Sequence, residues 1–485
     1  MQNLKRNFGY QSIYQLLNQI LPLITAPYLA RVLGAAPLGV FSFTNSVVSF
    51  FVIFANLGFE NYGTRSVASC REDKEKLSKC FCEIYFLRVI TGILVLGAYI
   101  VYLLVVCKDN KLIALIQAIA VFSCIFDINW LFFGLENFRL TVTRNCIIRI
   151  ITVVLILLLV NKPSDLWIYV LLMVTGPFIS QIVLWFFIPK DIKFIKPNVE
   201  ALWKHIKPTL ALFAPILAMQ IYHIMDKVML GIFSNYEQSG YYYNADKIIN
   251  IPLSIIFGLG TVILPRLSAM AHDKKNEAFE KTFIMYISAI SWLSIAMTFG
   301  IAAISKEFTP LFFGSEFIPC TVLIISLSPV LWLKGMSTTV AQSYLIPIKA
   351  EKLYIYSVTC GAAINLLVNL ILIPRLEAMG AVIGTIVAEL VVTSIQLIVI
   401  HHRVNLKGFY FDCLALAIAG SIMFGVVRLS SRLAFGWITV GIEVLAGVVV
   451  YSGLSLIYCK LVPRSITNQL YTKLITRKED QNDTL

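Results

Sequence analysis

Residues 145–188 read NCIIRIITVVLILLLVNKPSDLWIYVLLMVTGPFISQIVLWFFI. Two apolar runs flank the short turn NKPSD at 161–165. A helix of about 20 apolar residues, rising about 1.5 Å per residue, crosses the roughly 30 Å hydrocarbon layer of a bilayer. Pro163, Ser164 and Asp165 are the residues that turn a chain back on itself. This stretch therefore predicts a hairpin of two membrane helices. The same pattern recurs in both directions along the chain. Fourteen spans can be marked: 8–30, 38–59, 84–106, 112–134, 145–161, 166–188, 209–233, 241–264, 282–304, 318–346, 353–374, 379–400, 409–429 and 434–459.

Composition agrees. Of 485 residues, 58% are hydrophobic and 14% charged, against roughly 25% charged in soluble domains. That excludes a soluble multidomain enzyme, a disordered chain and a disulfide-stapled module. The net charge of +13 follows from Lys and Arg collecting in cytoplasmic loops, so no nucleic-acid partner is expected. With the N-terminus inside, inner loops hold 27 of the 40 Lys and Arg, outer loops 8, and five lie within spans. The bias supports fourteen spans with both termini cytoplasmic. The first span, interrupted by Gln15, Asn18 and Gln19, reads as uncleaved rather than as a signal peptide. The ten cysteines form no CxxC pair, so no metal site or cofactor is expected.

A weak repeat divides the chain. LPLITAPYLARVLGAAPLGVFSF (21–43) and APILAMQIYHIMDKVMLGIFSNYEQSGYYYNA (214–245) share an early Pro, a basic residue before an LG turn, and a second Gly before aromatics. The expected architecture is an all-α polytopic membrane protein of about 14 helices. It comprises a six-helix lobe at 1–190, a basic cytoplasmic linker at 191–208, and a second six-helix lobe at 209–402. An extra helix pair at 403–462 and a cytoplasmic tail at 463–485 follow. Repeats that start on the same side of the membrane are related by an axis along its normal.

Charges inside spans mark candidate sites, because they need a cavity or a partner. They are Arg88, Asp127, Arg149, Asp226, Lys227, Asp246, Lys247, Lys334, Glu389 and Glu443, with Arg31 at the outer end of the first span. Lys227 and Lys247 fall about 9 Å from the outer ends of their spans. Asp226 and Asp246 sit beside them, as ion-pair partners or as ion-coupling groups. Arg88 and Arg149 either face a cavity or snorkel to the inner surface. Polar stripes at helical spacing continue from these charges: Gln11, Gln15, Asn18, Pro22 and Thr25; Ser42, Asn45, Ser49 and Asn56; Lys247, Asn250, Ser254, Gly258 and Thr261; Asn365 and Asn369; Thr385, Glu389 and Gln396. Such stripes either glue helices together or line a shared hydrated cavity. The glycines of the last two spans either pack helices or form a groove for an apolar chain.

Several motifs resemble one family. They are PYLARVLGAAPLGVFSF from Pro27, FENYGTRSVAS from Phe59, INWLFFGLENFRLTVTRN from Ile128, YHIMDKVMLG from Tyr222, GYYYNADKIINIP from Gly240, VILPRLS from Val262, LFFGSEF from Leu311, LIPIKAEK from Leu345 and AINLLVNLILIP from Ala363. In that order they resemble bacterial polysaccharide repeat-unit flippases, the Wzx-type branch of the multidrug/oligosaccharidyl-lipid/polysaccharide exporter superfamily. The resemblance covers about 1–400. It implies two lobes around a central cationic cavity and movement of undecaprenyl-diphosphate-linked oligosaccharide from the inner to the outer leaflet of the plasma membrane. Arg31, Lys227 and Lys247 match its basic residues in kind, and Lys334, Arg149 and Asn250 join them as candidate substrate ligands. Asp226, Asp246, Glu389 and Asp127 are candidates for ion coupling or ion pairing, with a proton or sodium gradient as driving force. Polymerase and chain-length-regulator proteins are the implied partners. An ion-coupled multidrug exporter of the same superfamily is the alternative. A membrane polysaccharide polymerase is a weaker one, since no loop carries a catalytic motif. The reading is of a transporter, not an enzyme.

The topology is checked in a cysteine-free background. Glu72→Cys and Asp109→Cys should react with a membrane-impermeant thiol reagent from opposite sides. Labelling of both from outside whole cells would overturn fourteen spans.

Overall fold

The protein was analysed as a computed structural model that describes residues 17, 20–197, 199–272, 276–431, 436–463 and 465–469. The stripe residues Gln11, Gln15 and Asn18 lie outside the described residues. Among the described residues the regular elements are all helices. The elements are α1 (Ile20–Leu33), α2 (Ala35–Asn56), α3 (Phe59–Cys70), α4 (Lys74–Val101), α5 (Lys111–Ser123), α6 (Asn129–Gly134), α7 (Phe138–Leu159), α8 (Leu166–Trp185), α9 (Val199–Phe233), α10 (Tyr236–His272), α11 (Asn276–Phe313), α12 (Cys320–Leu327), α13 (Pro329–Val340), α14 (Glu351–Leu376), α15 (Ala378–His401), α16 (Lys407–Ser430) and α17 (Trp437–Leu461). Among the described residues, twelve helical segments are long and apolar enough to cross a membrane. The shorter apolar α1 and the 35-residue α9 occupy the other two span positions read from the sequence.

Local chemistry sets the breaks. The tenth span divides where α12 ends at Leu327 and Pro329 opens α13, because proline has no N–H for the preceding turn and suits the first turn of a new helix. The span ends in a π turn, Ala341–Leu345. Asp73 caps α4, its side chain accepting from the backbone N–H groups of Glu75 and Lys76, two of the orphan donors at a helix start.

Two compact units divide the chain, Met1–Gly240 and Tyr241–Leu485. The division falls in the first turn and a half of α10. In the first unit α2 packs on α4, α5 and α9. Gly39 and Gly240 let two backbones touch. A Cβ on Gly39 would stand 1.6 Å from the Tyr236 carbonyl oxygen, and one on Gly240 2.0 Å from that of Ala35. Small residues permit such close approach in membrane bundles. In the second unit α11 carries α13 on one side and α16 and α17 on another, while α14 and α15 form a tight hairpin.

The last helix pair is bound by polar as well as apolar contacts. Trp292 Nε1 donates to Ser455 Oγ (3.1 Å), and Tyr451 OH donates to the Trp292 carbonyl (2.9 Å). Asp412, which lowers the hydropathy of its span, accepts from Tyr458 OH (2.8 Å) and from the backbone and hydroxyl of Thr467 (2.9 Å each). It thus ties the start of α16 to the chain beyond α17. Of the glycines here, Gly420 is a packing residue, since an added Cβ would meet Phe299 at 2.4 Å. Gly447 is in ordinary contact range of Val427 and Met423, whereas Gly425, Gly441 and Gly453 meet nothing within 4 Å.

Gly420→Leu should therefore lower stability by about 1–3 kcal/mol through overpacking, while Gly425→Leu should stay near wild type. Thermal unfolding of the purified variants in detergent distinguishes them.

Candidate substrate-handling site

A polar assembly of the first unit lies where α5 gives way to α6. The chain there passes through a 3-10 turn, Cys124–Phe126, and Asp127 adopts an extended conformation. Arg88 of α4, 1% exposed, reaches this turn. Its Nε donates to the Cys124 carbonyl (2.7 Å), and its Nη2 donates to Asn56 Oδ1 (2.7 Å) and Asp127 Oδ2 (2.8 Å). The other Asp127 oxygen accepts from the Asn129 backbone (2.9 Å) and side chain (2.6 Å), fixing the start of α6. Asn129 passes the network on, donating to Gln181 Oε1 (3.0 Å) and accepting from Arg144 Nη2 (3.0 Å). Arg144 and Ser180 both donate to Asn145 Oδ1 (2.7 Å each). One network thus joins α2, α4, α6, α7 and α8.

Arg88 accordingly does not snorkel. It is a buried ion-pair partner, and Asp127 is the other half. The motifs around them also become intelligible. Gly63 of FENYGTRSVAS leaves room for Trp130 of INWLFFGLENFRLTVTRN, whose ring would stand 2.7 Å from an added Cβ; Gly134 of the second motif meets Val67 of the first at 2.6 Å. Glu136 pairs with Arg71 at 2.6 Å. These motifs hold α3 against α6.

A second cluster anchors α9 near its start. His205 Nε2 lies 2.8 Å from Glu83 Oε2, and its Nδ1 lies 2.6 Å from Tyr62 OH. Further along α9, Asp226 is buried and Lys227 half-buried, and Gly231 lies under the Phe43 ring of α2. Arg31 is exposed near the end of α1, and Arg149 is exposed on α7. Close to Arg149 along the helix, a groove of 520 Å3 is lined by Arg139, Thr143, Arg144, Ile147 and Phe187, among others.

In the second unit Lys247 is half-buried, its Nζ 4.5 Å from the centre of the Tyr243 ring, a cation–π contact. Asn250 donates to the carbonyl (2.9 Å) and carboxylate (2.7 Å) of Asp246 one turn earlier. Helix α10 starts at Tyr236, five residues before the expected boundary of 241. Lys247 therefore lies about 16 Å along its helix, not about 9 Å. The stripe that continues from it through Ser254 and Gly258 is half-buried, ending at an exposed Thr261. Lys334 is half-buried on α13.

The stripes of α14 and α15 are largely buried between helices. Asn365, Asn369 and Gln396 are fully buried, and Glu389 is 3% exposed. Asn369 Nδ2 donates to Asn365 Oδ1 (3.1 Å), Gln396 Nε2 to Ser357 Oγ (3.0 Å), and Thr393 Oγ1 to the Leu333 carbonyl (2.8 Å). Gly384 presents no side chain to Asn369, whose Oδ1 would lie 2.0 Å from a Cβ there. Thr385 faces α10, its hydroxyl 3.0 Å from Tyr242 OH.

Long apolar helices in two units define a polytopic membrane protein. The chain belongs to the family described as "Polysaccharide biosynthesis protein", which it matches over residues 4–271. It is 22% identical over 409 residues to a protein of Escherichia coli strain K12 named "Putative O-antigen transporter", across 83% of this chain and 97% of that one. A 25% match over 246 residues, about half of each chain, joins it to a Haloferax volcanii protein named "Probable low-salt glycan biosynthesis flippase Agl15". Among solved structures, the inward closed lipid II flippase MurJ superposes with a TM-score of 0.76 at 17% identity, covering 93% of this chain and 99% of that one. An inward-facing multidrug resistance MATE transporter of the MOP superfamily superposes at 0.62 and 15% identity, over 81% and 94%. The fold is the one these two share.

Removing one partner of a buried ion pair costs about 3–5 kcal/mol, and removing both costs far less. Arg88→Met or Asp127→Leu alone should sharply reduce folded protein, and the double variant should recover most of it. Size-exclusion yield in detergent measures this.

Proposed function

We propose that the protein is a flippase for lipid-linked oligosaccharides, and that it moves undecaprenyl-diphosphate-linked repeat units from the inner to the outer leaflet for surface polysaccharide assembly. Family membership supports the class. The observation that carries the substrate reading is the placement of Lys227, Lys247 and Lys334, half-buried within long apolar helices. A cation in that setting is retained where it meets an anion or a hydrated path, and a diphosphate is such an anion. Exposed Arg31 and Arg149 would meet the headgroup at entry or exit, and Asn250, held by Asp246, would meet sugar hydroxyls.

In this reading Asp226, Asp246 and Glu389 set the charge balance of the path, and Asp127 serves structure through Arg88. Alternating access driven by a proton or sodium gradient exposes the cations first to one leaflet and then to the other. The plasma membrane is the site, with both termini cytoplasmic, and the polymerase and chain-length regulator act on the delivered unit. A drug exporter for cations would favour acids where these lysines stand.

The test is complementation of a deletion strain. Lys227→Gln and Lys247→Gln should each lower polymer export about tenfold, the worth of one hydrogen bond to a charged group, at unchanged protein level. Lipid-linked repeat units should accumulate in the inner leaflet. Full export by the double variant would refute the role of these lysines.

A further inference from the structure

Near the far ends of α11 and α16 from their starts, and in the second turn of α17, two acids share one base. Arg428 Nη1 donates to Glu307 Oε2 (2.5 Å) and to the Ala303 carbonyl (3.0 Å). Glu443 stands 3.8 Å from the same nitrogen, beyond hydrogen-bond distance. It is 0% exposed, and among the described residues neither of its oxygens has a hydrogen-bond partner. Glu307 is its carboxyl neighbour.

The groups facing Glu443 are therefore Glu307 from α11 and Arg428 from α16. Lys306 is exposed, and Arg432 lies outside the described residues. The layer further along these helices is apolar, with Ala303, Met423, Val427 and Tyr451 buried together. Two carboxylates against one guanidinium leave an uncompensated charge there. A fully buried carboxylate that shares its one base with a second acid and accepts no hydrogen bond costs several kcal/mol, and such groups neutralise instead. A bound proton removes the charge and turns one oxygen into an O–H donor that Glu307 can accept. A metal ion fits poorly, because a guanidinium nitrogen within 4 Å of both acids repels a cation.

We propose that Glu307, Arg428 and Glu443 form a proton-binding site in the α11–α16–α17 cluster, with the proton on Glu443 and the Arg428–Glu307 pair charged. The step is association of one proton with one carboxylate and needs no other reactant. The site lies outside the helices assigned to substrate and does not rest on the flippase reading.

Infrared spectroscopy of the purified protein near neutral pH tests it. Glu443→Gln should remove the intensity of one protonated carboxyl from the C=O stretching region. Glu307→Gln should remove it as well, since Glu443 then inherits Arg428 and ionises. Arg428→Gln should add one such carboxyl. Persistence of the band in Glu443→Gln or Glu307→Gln would overturn the proposal, as would its replacement on adding sodium at fixed pH. Because the two Gln variants are independent, failure of either to fold leaves the other decisive.

Discussion

A charge within a hydrocarbon layer has to be matched, and the interior of this protein is arranged around that requirement. Arg88 is the clearest case. Its guanidinium is buried and is met by a carboxylate, an amide oxygen and the carbonyl of the turn that ends α5. The 3-10 turn at Cys124–Phe126 and the extended Asp127 place acceptors where Arg88 can reach them. Helix α6 then starts from the second oxygen of the same carboxylate. The first unit thus gains a polar seam in which Arg88 is matched by Asp127.

The second unit meets the same requirement differently. Its α14–α15 contact buries amides and hydroxyls, which hydrogen-bond at little electrostatic cost. Its charges include a pair at the ends of α11 and α16, where Arg428 answers Glu307, half-buried groups on α10 and α13, and the buried Glu389 on α15. Asp412 completes the pattern by accepting three hydrogen bonds. Lys227, Lys247 and Lys334 differ from Arg88 in being only half-buried.

Much of the fold was legible in the sequence because bilayer thickness fixes helix length. Runs such as 147–160 admit one reading, and Pro329 marks a break that the structure shows. Pairing between helices was less legible. Arg144 and Arg428 sit near span ends and look like loop charges, yet Arg144 is buried within the Asn129–Asn145 network and Arg428 holds an acid. His205 lies in a basic linker with no local signal, and its partners Tyr62 and Glu83 are more than a hundred residues away. Hydropathy also misplaced the start of α10, because Tyr236, Glu237 and Gln238 are polar but helical. Periodicity showed that Asn365 and Asn369 share a face, but not that α15 covers it.

The central claim is that this fold carries a lipid-linked anion across the bilayer. Purified protein reconstituted into vesicles with a fluorescent polyprenyl-diphosphate oligosaccharide tests it most directly. Access of the sugar to a membrane-impermeant glycosidase is the readout. The account predicts that protein-containing vesicles expose the whole labelled pool and protein-free vesicles only the outer-leaflet pool. Equal exposure with and without protein, under both proton and sodium gradients, would contradict it.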